Sequence, residues 1–497
     1  MTEREIKLHV EPGRRGRLLA ALGHRRIKRS ALASIQFDTS DLLLARHRFA
    51  LRLRSEDGHW VQTLEAGKPG AASRLEHEVP VEAGGADGEA PALDLARHRD
   101  SKAGRRLRAL LRRHRHPALV ESSRTKVTRL RRVLRTRGAV VEWALDEGEL
   151  TAAGRSQPIS ELKLALKSGD PAGFYGLAHD WQALHGLWID PVRKSERGAL
   201  LARGQSFRPA VKARPPGWSA KETRRMDGDT MLRRMVSSCL EQVLPNAAEI
   251  ARGSPDPEHV HQLRVGLRRL RSVVSGMKPF ATSLPLGWEQ AIMPVFDALG
   301  DLRDKHVRST TLAPKLRKAG APLADLGGPS EEEVKALGQL VRGAVFQGMV
   351  LRLQGQAVAT RGEVPPGGEG SGLAHLVRRL RKLTRQATRE AHRFDELAFA
   401  RQHEARKRLK QLRYLAGFAA PSFDGDAVDA WMDKVSPAQD ALGKYIDLSL
   451  AGERFASEAE TDPAARFAST WLRAKADAST RAARKSLERL RAAKCFW

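Results

Sequence analysis

Hydrophobic and polar residues alternate with a period of two from Thr2 to about Gln205, and from there to the end of the chain they recur at the 3.6 spacing of a helix. Glu3, Glu5 and Lys7 fall on one face of an opening strand, with Ile6, Leu8 and Val10 on the other. Ala50-Leu-Arg-Leu-Arg54 alternates in the same way and sets Arg52 beside Arg54. Runs at 60–64, 74–81, 124–134, 139–145 and 159–166 read as further strands, separated by turn signals such as Glu56-Asp-Gly58, Asp146-Glu-Gly148 and Ser168-Gly-Asp170. One helical stretch near 171–185 interrupts them. Many alternating strands with charged residues on one face predict an antiparallel barrel with a polar lumen.

Three prolines and no periodicity mark Ser206-Phe-Arg-Pro-Ala-Val-Lys-Ala-Arg-Pro-Pro-Gly-Trp218 as a semi-rigid connection. The expected domains are therefore 1–205 and 223–497, with a linker at 206–222. Helices are expected at 226–251, 257–275, 288–303, 331–353, 373–392, 395–416, 426–450 and 463–493, and loops at 320–329 and 362–372.

Within the helical part the chain repeats itself. His261-Gln-Leu-Arg264-Val-Gly-Leu-Arg268-Arg-Leu-Arg271 returns as His403-Glu-Ala-Arg406-Lys-Arg-Leu-Lys410-Gln-Leu-Arg413. Each copy follows a histidine with cations three, seven and ten residues on, which at helical spacing share about 80° of arc. Asp297-Ala-Leu-Gly300 likewise returns as Asp440-Ala-Leu-Gly443, so the two motifs repeat at offsets of 142 and 143 residues. Two motifs at nearly one offset predict a duplicated unit of about four helices per copy, spanning roughly 223–360 and 371–497. The fold class expected is α+β in two domains, an antiparallel β barrel followed by an all-α duplicated bundle.

Charge says what the stripes are for. The chain carries 87 Lys plus Arg against 58 Asp plus Glu, a formal charge of +29. Self-repulsion of that size favours a polyanionic partner. The first stripe holds no acid between His261 and Arg271, so its cations are not neutralised along their own helix. The expected anion-lining residues are His261, Arg264, Arg268, Arg271, His403, Arg406, Lys410 and Arg413. Arg378, Arg381, Lys382, Arg385 and Arg389 add cations at spacings of three and four. Aromatic residues are 5% of the chain, with three tyrosines, which weighs against a binder that stacks bases. The stripes also lack a helix-turn-helix layout, so no specific nucleic acid is expected; a backbone-only nucleic-acid binder is the second alternative. Two cysteines far apart, Cys239 and Cys495, imply neither a disulfide framework nor a zinc knuckle and point to a reducing compartment. A charged N-terminus and the lack of any run near ~20 apolar residues predict a cytoplasmic protein with no membrane partner.

The first two hundred residues resemble a CYTH domain, the triphosphate tunnel metalloenzyme family. The resemblance lies in Glu3-x-Glu5-x-Lys7, Phe37-Asp-Thr39, Leu51-Arg-Leu-Arg54, Gln62-Thr-Leu64, Glu76-His-Glu78-Val-Pro80, Val141-Glu142 with Asp146-Glu-Gly148, Glu161 to Asp170, and Lys194-Ser-Glu-Arg-Gly198, taken in that order. It implies an eight-stranded antiparallel tunnel holding a triphosphate on basic side chains and Mg²⁺ or Mn²⁺ on glutamates. Carried over position by position, Glu3, Glu5, Glu142 and Glu161 stand where metal ligands are expected, with Glu3, Glu5, Lys7 and Glu142 as the catalytic set. Lys7, Arg52, Arg54 and Arg124 stand at phosphate-binding places. Two departures bear on turnover. The late strand reads Glu161, Lys163, Ala165 where three alternating glutamates are usual, and Glu65 follows Gln62-Thr-Leu64 where a basic residue is usual. Loss of acids weakens a metal site more than an anion site, and Lys163 is itself suited to phosphate.

The paired histidine helices, Leu299-Gly-Asp-Leu-Arg-Asp304 and Arg408-Leu-Lys-Gln-Leu-Arg-Tyr414 resemble a CHAD domain over roughly 223–497. That resemblance implies two four-helix bundles around a basic pore, inorganic polyphosphate as ligand, and association with polyphosphate granules. The functional expectation is an inorganic polyphosphate-binding protein whose tunnel takes tri- or polyphosphate with weakened or lost hydrolysis. An active Mg- or Mn-dependent inorganic triphosphatase is the first alternative.

Overall fold

The structure, a computed structural model, describes residues 4–23, 27–67, 74–82, 90–321, 326–359, 370–457, 459–460 and 462–497. Glu3 and most of the 362–372 loop lie outside the described residues, as do 322–325 of the 320–329 loop. The chain divides into two compact units, Met1–Ala210 with Arg342–Leu351, and Val211–Val341 with Arg352–Trp497.

The first unit is one antiparallel sheet of β1 (Arg4–His9), β2 (Lys28–Asp38), β3 (Phe49–Glu56), β4 (His59–Gly67), β5 (Arg74–Val81), β6 (Val120–Thr136), β7 (Ala139–Ala152), β8 (Arg155–Gly169) and β9 (Trp188–Ile189), in the order β5-β4-β3-β2-β6-β7-β8-β1-β9. The ninth strand, beyond the eight expected, is a two-residue addition in which Trp188 and Ile189 pair with His9 and Leu8 of β1. Between the strands lie α1 (Arg15–Leu22), α2 (Leu43–Arg46), α3 (Lys102–Arg113) and α4 (Pro171–His185), and after them α5 (Lys194–Ala202). Asp57-Gly58, both at positive φ, turn β3 tightly into β4. Asp146-Glu-Gly148, by contrast, is no turn and lies inside β7. A Cβ at Gly148 would sit 2.1 Å from the Lys126 carbonyl oxygen, so glycine is needed there for close strand approach.

Strand alternation divides the sheet into an apolar and a polar face. Leu51, Leu53, Leu64, Trp143, Leu162 and Leu164 are buried on the first, where α3 packs with Leu107, Leu110 and Leu111. The second carries charge in ordered rows, because directly paired residues point the same way. Glu5 pairs with Ala165 and Ala165 with Glu142; Lys7 pairs with Lys163, Lys163 with Ala144, and Ala144 with Arg131; His9 pairs with Glu161, Glu161 with Asp146, and Asp146 with Arg129.

The second unit is helical: α6 (Ala220–Arg225), α7 (Gly228–Ala251), α8 (Pro257–Gly276), α9 (Trp288–Val307), α10 (Ala313–Lys318), α11 (Glu331–Arg342), α12 (Ala344–Val358), α13 (Gly372–Thr388), α14 (Phe399–Ala419), α15 (Gly425–Ala456) and α16 (Pro463–Ala492). The helix expected at 331–353 is two, broken at Gly343, and its 342–351 segment belongs to the first unit, where Gln347 accepts from the Ile189 N–H at 2.9 Å. Asp227, Asp256, Ser371, Asp424 and Asp462 cap α7, α8, α13, α15 and α16 by accepting from first-turn N–H groups. The leucines repeated within the stripes, Leu267 with Leu270 and Leu409 with Leu412, are all buried. Gly276 lets α8 approach α14, since a Cβ there would lie 2.6 Å from Leu415. No helix among the described residues is long and apolar enough to cross a membrane.

Candidate functional site

With the leucines of α8 and α14 committed to the core, helical spacing turns the cations of both stripes to the same side of the pair. All eight stripe residues, His261, Arg264, Arg268 and Arg271 on α8 and His403, Arg406, Lys410 and Arg413 on α14, are half-buried. The stripes feel one another: Arg406 and Arg268 both act on Lys410, Arg406 acts on Arg264, and Arg268 acts on Arg406. Burial pushes the Lys410 ammonium down to about 7, with Arg406 and Arg268 adding repulsion, Asp447 opposing them, and Arg264 adding a further push. Burial and neighbouring arginines also lower Arg264 and Arg406. The Nε of each of these two arginines is buried with no hydrogen-bond partner. Unsatisfied, mutually repelling donors in a partly dry place form a receptor for an anion.

The two halves are built alike in a detail the sequence expectation passed over. Gly300 of α9 faces Arg264, whose Nη2 would lie 3.1 Å from a Cβ there, and Gly443 of α15 faces Arg406 at 3.9 Å. One turn beyond each glycine stands an acid, Asp304 and Asp447, and each bears on the arginine of its own half. Asp447 accepts from Arg406 at 2.8 Å, and Asp304 accepts from Arg454 at 3.3 Å. The legible signal is Gly-x-x-x-Asp, written at 300–304 and 443–447. The outer stripe residues are held more firmly. Arg271 donates to Glu289 at 2.8 Å, Arg413 donates to Gln439, and Arg264, Arg268 and Arg271 all lie over the Phe296 ring at 5.3–5.9 Å.

Burial lowers both histidines below the ordinary range, with Arg303 as the next cause at His261 and Lys407 at His403. They therefore stand as neutral rings at pH 7 in the free protein. On α13, Arg378, Arg381 and Arg385 are exposed, and Arg381 bears on Cys495. It is Arg379, absent from the expected set, that is half-buried and donates to Gln411 of α14 at 3.3 Å.

On the polar sheet face, Glu5 accepts from Lys163 at 2.6 Å with Lys7 at 3.7 Å, and Glu142 lies 3.2 Å from Lys167. Glu161 and Asp146 are buried and share Lys194 of α5. Asp146 also takes a two-pronged contact from Arg129 at 2.6 and 2.7 Å. Burial works to raise both carboxyls, and the adjoining cations override it and hold them below the ordinary range. Arg52 is engaged by Glu65 at 3.0 Å and Arg54 by Glu78 at 3.1 Å. Arg124 pairs in register with Ile35 and Thr151, which places it on the opposite side of the sheet from Arg52, Arg54 and Lys163, and Glu121 holds it at 2.6 and 2.9 Å. The β2–β6 register shifts between Gln36 and Phe37, next to the Arg124 row. Arg129 and Arg131, not singled out in the sequence, take that face instead. Among the described residues no group of three or more His, Cys, Asp or Glu side chains is arranged to hold a metal ion.

The two units have counterparts among known domain families. The CYTH domain model matches residues 1–199 and the CHAD domain model residues 234–456. An inorganic triphosphatase of Haemophilus influenzae is 26% identical over 179 residues, 35% of this chain and 47% of that protein, so the chain spans about half the length of the curated relative it matches. Among solved structures, the CHAD domain of the plant Ricinus communis covers 57% of this chain and 99% of its own at 22% identity, with a TM-score of 0.43. A candidate adenylyl cyclase from Hippeastrum, described as having a dominant triphosphatase activity, covers 41% of this chain and 98% of its own at 18% identity, with a TM-score of 0.28. The chain thus carries a CYTH domain at residues 1–199 followed by a CHAD domain at residues 234–456.

Proposed function

We propose that the chain is a cytoplasmic inorganic polyphosphate-binding protein. Its helical unit grips long-chain polyphosphate and associates with polyphosphate granules, and its sheet unit takes tri- or polyphosphate with hydrolysis weakened or lost. The observation that carries this reading is the mutual repulsion of Arg264, Arg268, Arg406 and Lys410, contributed in matched pairs by two copies of one motif. Polyphosphate offers charge at every repeat and little pattern to read, so clustered forked and ammonium donors are sufficient chemistry. His261, Arg271, His403 and Arg413 flank the four, and the exposed Arg378, Arg381 and Arg385 serve a longer chain passing over α13.

Neutral replacement of Arg264, Arg268, Arg406 and Lys410 together is expected to abolish retention on immobilised long-chain polyphosphate. Unchanged retention would move the site to another face. Double-stranded DNA at equal phosphate concentration and moderate salt is expected not to displace polyphosphate; displacement would favour the nucleic-acid alternative, because both modes weaken with salt and salt alone does not separate them.

Weakened hydrolysis is supported by Lys163 and by Ala165, which stands in register between Glu5 and Glu142 and puts a methyl group where a carboxylate is usual. The active alternative draws on the similarity to the Haemophilus inorganic triphosphatase. Phosphate release from tripolyphosphate with Mg²⁺ or Mn²⁺ separates them: brisk turnover that Glu3→Ala and Glu5→Ala abolish would overturn the proposal.

A further inference from the structure

CYTH proteins are generally metal-dependent. The described acids of this sheet do not fit that requirement. Each is already met by a cation of its own chain: Glu5 by Lys163 at 2.6 Å, Glu142 by Lys167 at 3.2 Å, and Glu161 with Asp146 by Lys194. A hard divalent ion needs about six oxygen ligands in a compact shell. Here Ala165, 1% exposed, separates Glu5 from Glu142 by a full strand. An ammonium at hydrogen-bond distance from Glu5 also takes up one of its acceptor sites and repels an incoming cation.

Lys163 has the chemistry to substitute for that cation. An ammonium carries three donors, so with one directed to Glu5 it keeps two for phosphate oxygens and bridges carboxylate to anion as a metal would. Lys7 pairs with Lys163 in the same register row, and both side chains are about one-fifth exposed, at 21%. Two ammonium groups thus lie side by side on a face that solvent reaches.

We infer that the polar sheet face binds a short condensed phosphate without a divalent metal ion, the Lys163 ammonium beside Glu5 serving as the internal counter-cation. The inference rests on the reading that this face takes tri- or polyphosphate.

The test is calorimetric titration of tripolyphosphate into the full chain with Arg264, Arg268, Arg406 and Lys410 neutralised, so that the sheet unit reports alone. Binding in chelator is expected to match binding with Mg²⁺ or Mn²⁺ to within about threefold, and K163E is expected to weaken chelator binding by about tenfold or more while Mn²⁺ restores it. K163Q, which puts no second carboxylate beside Glu5, is expected to lose the same affinity without gaining any response to metal. Binding that chelator abolishes and Mg²⁺ or Mn²⁺ restores in the unaltered sheet would overturn the inference and leave the phosphate reading standing. No binding with or without metal would overturn both.

Discussion

Lys410 makes the proposed polyphosphate grip a titratable one. Its ammonium is half-buried among Arg406, Arg268 and Arg264, with Asp447 as the acid bearing on it, and its pKa is about 7 in place of the ordinary 10.5. A polyanion seated on these cations cancels the repulsion and holds Lys410 charged. Binding above neutrality therefore takes up a proton. The charged fraction of free Lys410 falls from about 0.9 at pH 6 to about 0.1 at pH 8, so affinity should drop about tenfold, or ~1.4 kcal/mol, across that interval. His261 and His403, lowered by burial, are neutral over the upper part of this range and strengthen binding only toward its acid end. Stability runs the other way. The folded state releases the Lys410 proton near 7 and the unfolded state near 10.5, so the cost of burying the charge is full below pH 7 and is relieved as pH rises toward 10.5. Fluorescence anisotropy with end-labelled polyphosphate at constant ionic strength, from pH 6 to 9, measures the effect. K410R should flatten the profile, because guanidinium stays charged throughout, and K410M should bind weakly with no slope above pH 7. A wild-type affinity constant to within about twofold from pH 6 to 8, or an equal slope in K410R, would refute the reasoning.

Three further outcomes follow from contacts described above. Asn at Asp447 removes the acid paired with Arg406, and D447N should bind polyphosphate several-fold more tightly with stability changed by no more than ~1 kcal/mol, since the carboxylate is largely exposed; equilibrium binding and urea melts check both. Ala at Gly443 meets only ordinary contact and should stabilise α15 by about 0.5–1 kcal/mol, whereas G300A pushes the Arg264 guanidinium aside and should weaken binding; thermal melts and anisotropy of the two variants separate the effects. K194A leaves Asp146 to Arg129 and strips the buried Glu161 of its hydrogen-bonded cation, and should destabilise the sheet unit by about 3 kcal/mol in denaturant unfolding.

Local pattern revealed much of this molecule, and long-range geometry accounts for what it concealed. Alternation found β1 and β3 to β8, and helical spacing found α7 to α9 and α13 to α16, because those segments bury one clean stripe or face. The 142–143 offset made the kinship of α8 and α14 legible, and their packing against one another is read from the structure. β2 was missed because Lys28-Arg-Ser-Ala-Leu-Ala-Ser has too few apolar residues to show alternation and is fixed by pairing to both β3 and β6. Gly148 read as a turn because nothing local shows that Lys126 passes within contact of it. Arg124 was carried over from the family resemblance, and its side of the sheet is fixed by pairing with Ile35 and Thr151, which the residues around it do not display. The pairing of Glu161 and Asp146 through Lys194 joins residues 33 and 48 positions from their cation, beyond the reach of any periodicity.

The likeness of Gly300, Arg264 and Asp304 to Gly443, Arg406 and Asp447 bears on the kind of polymer the helical unit suits. A nucleic-acid strand has direction, and a receptor that presents the same cation from either side reads only half of what such a strand displays. A linear chain of identical phosphates has no direction, so both orientations and every one-repeat displacement along it are equivalent bound states. Degeneracy then grows with polymer length: each tenfold increase in chain length adds about 1.4 kcal/mol of apparent affinity per chain with no new contact made. A protein held this way is free to diffuse along its ligand in one dimension while remaining bound to it.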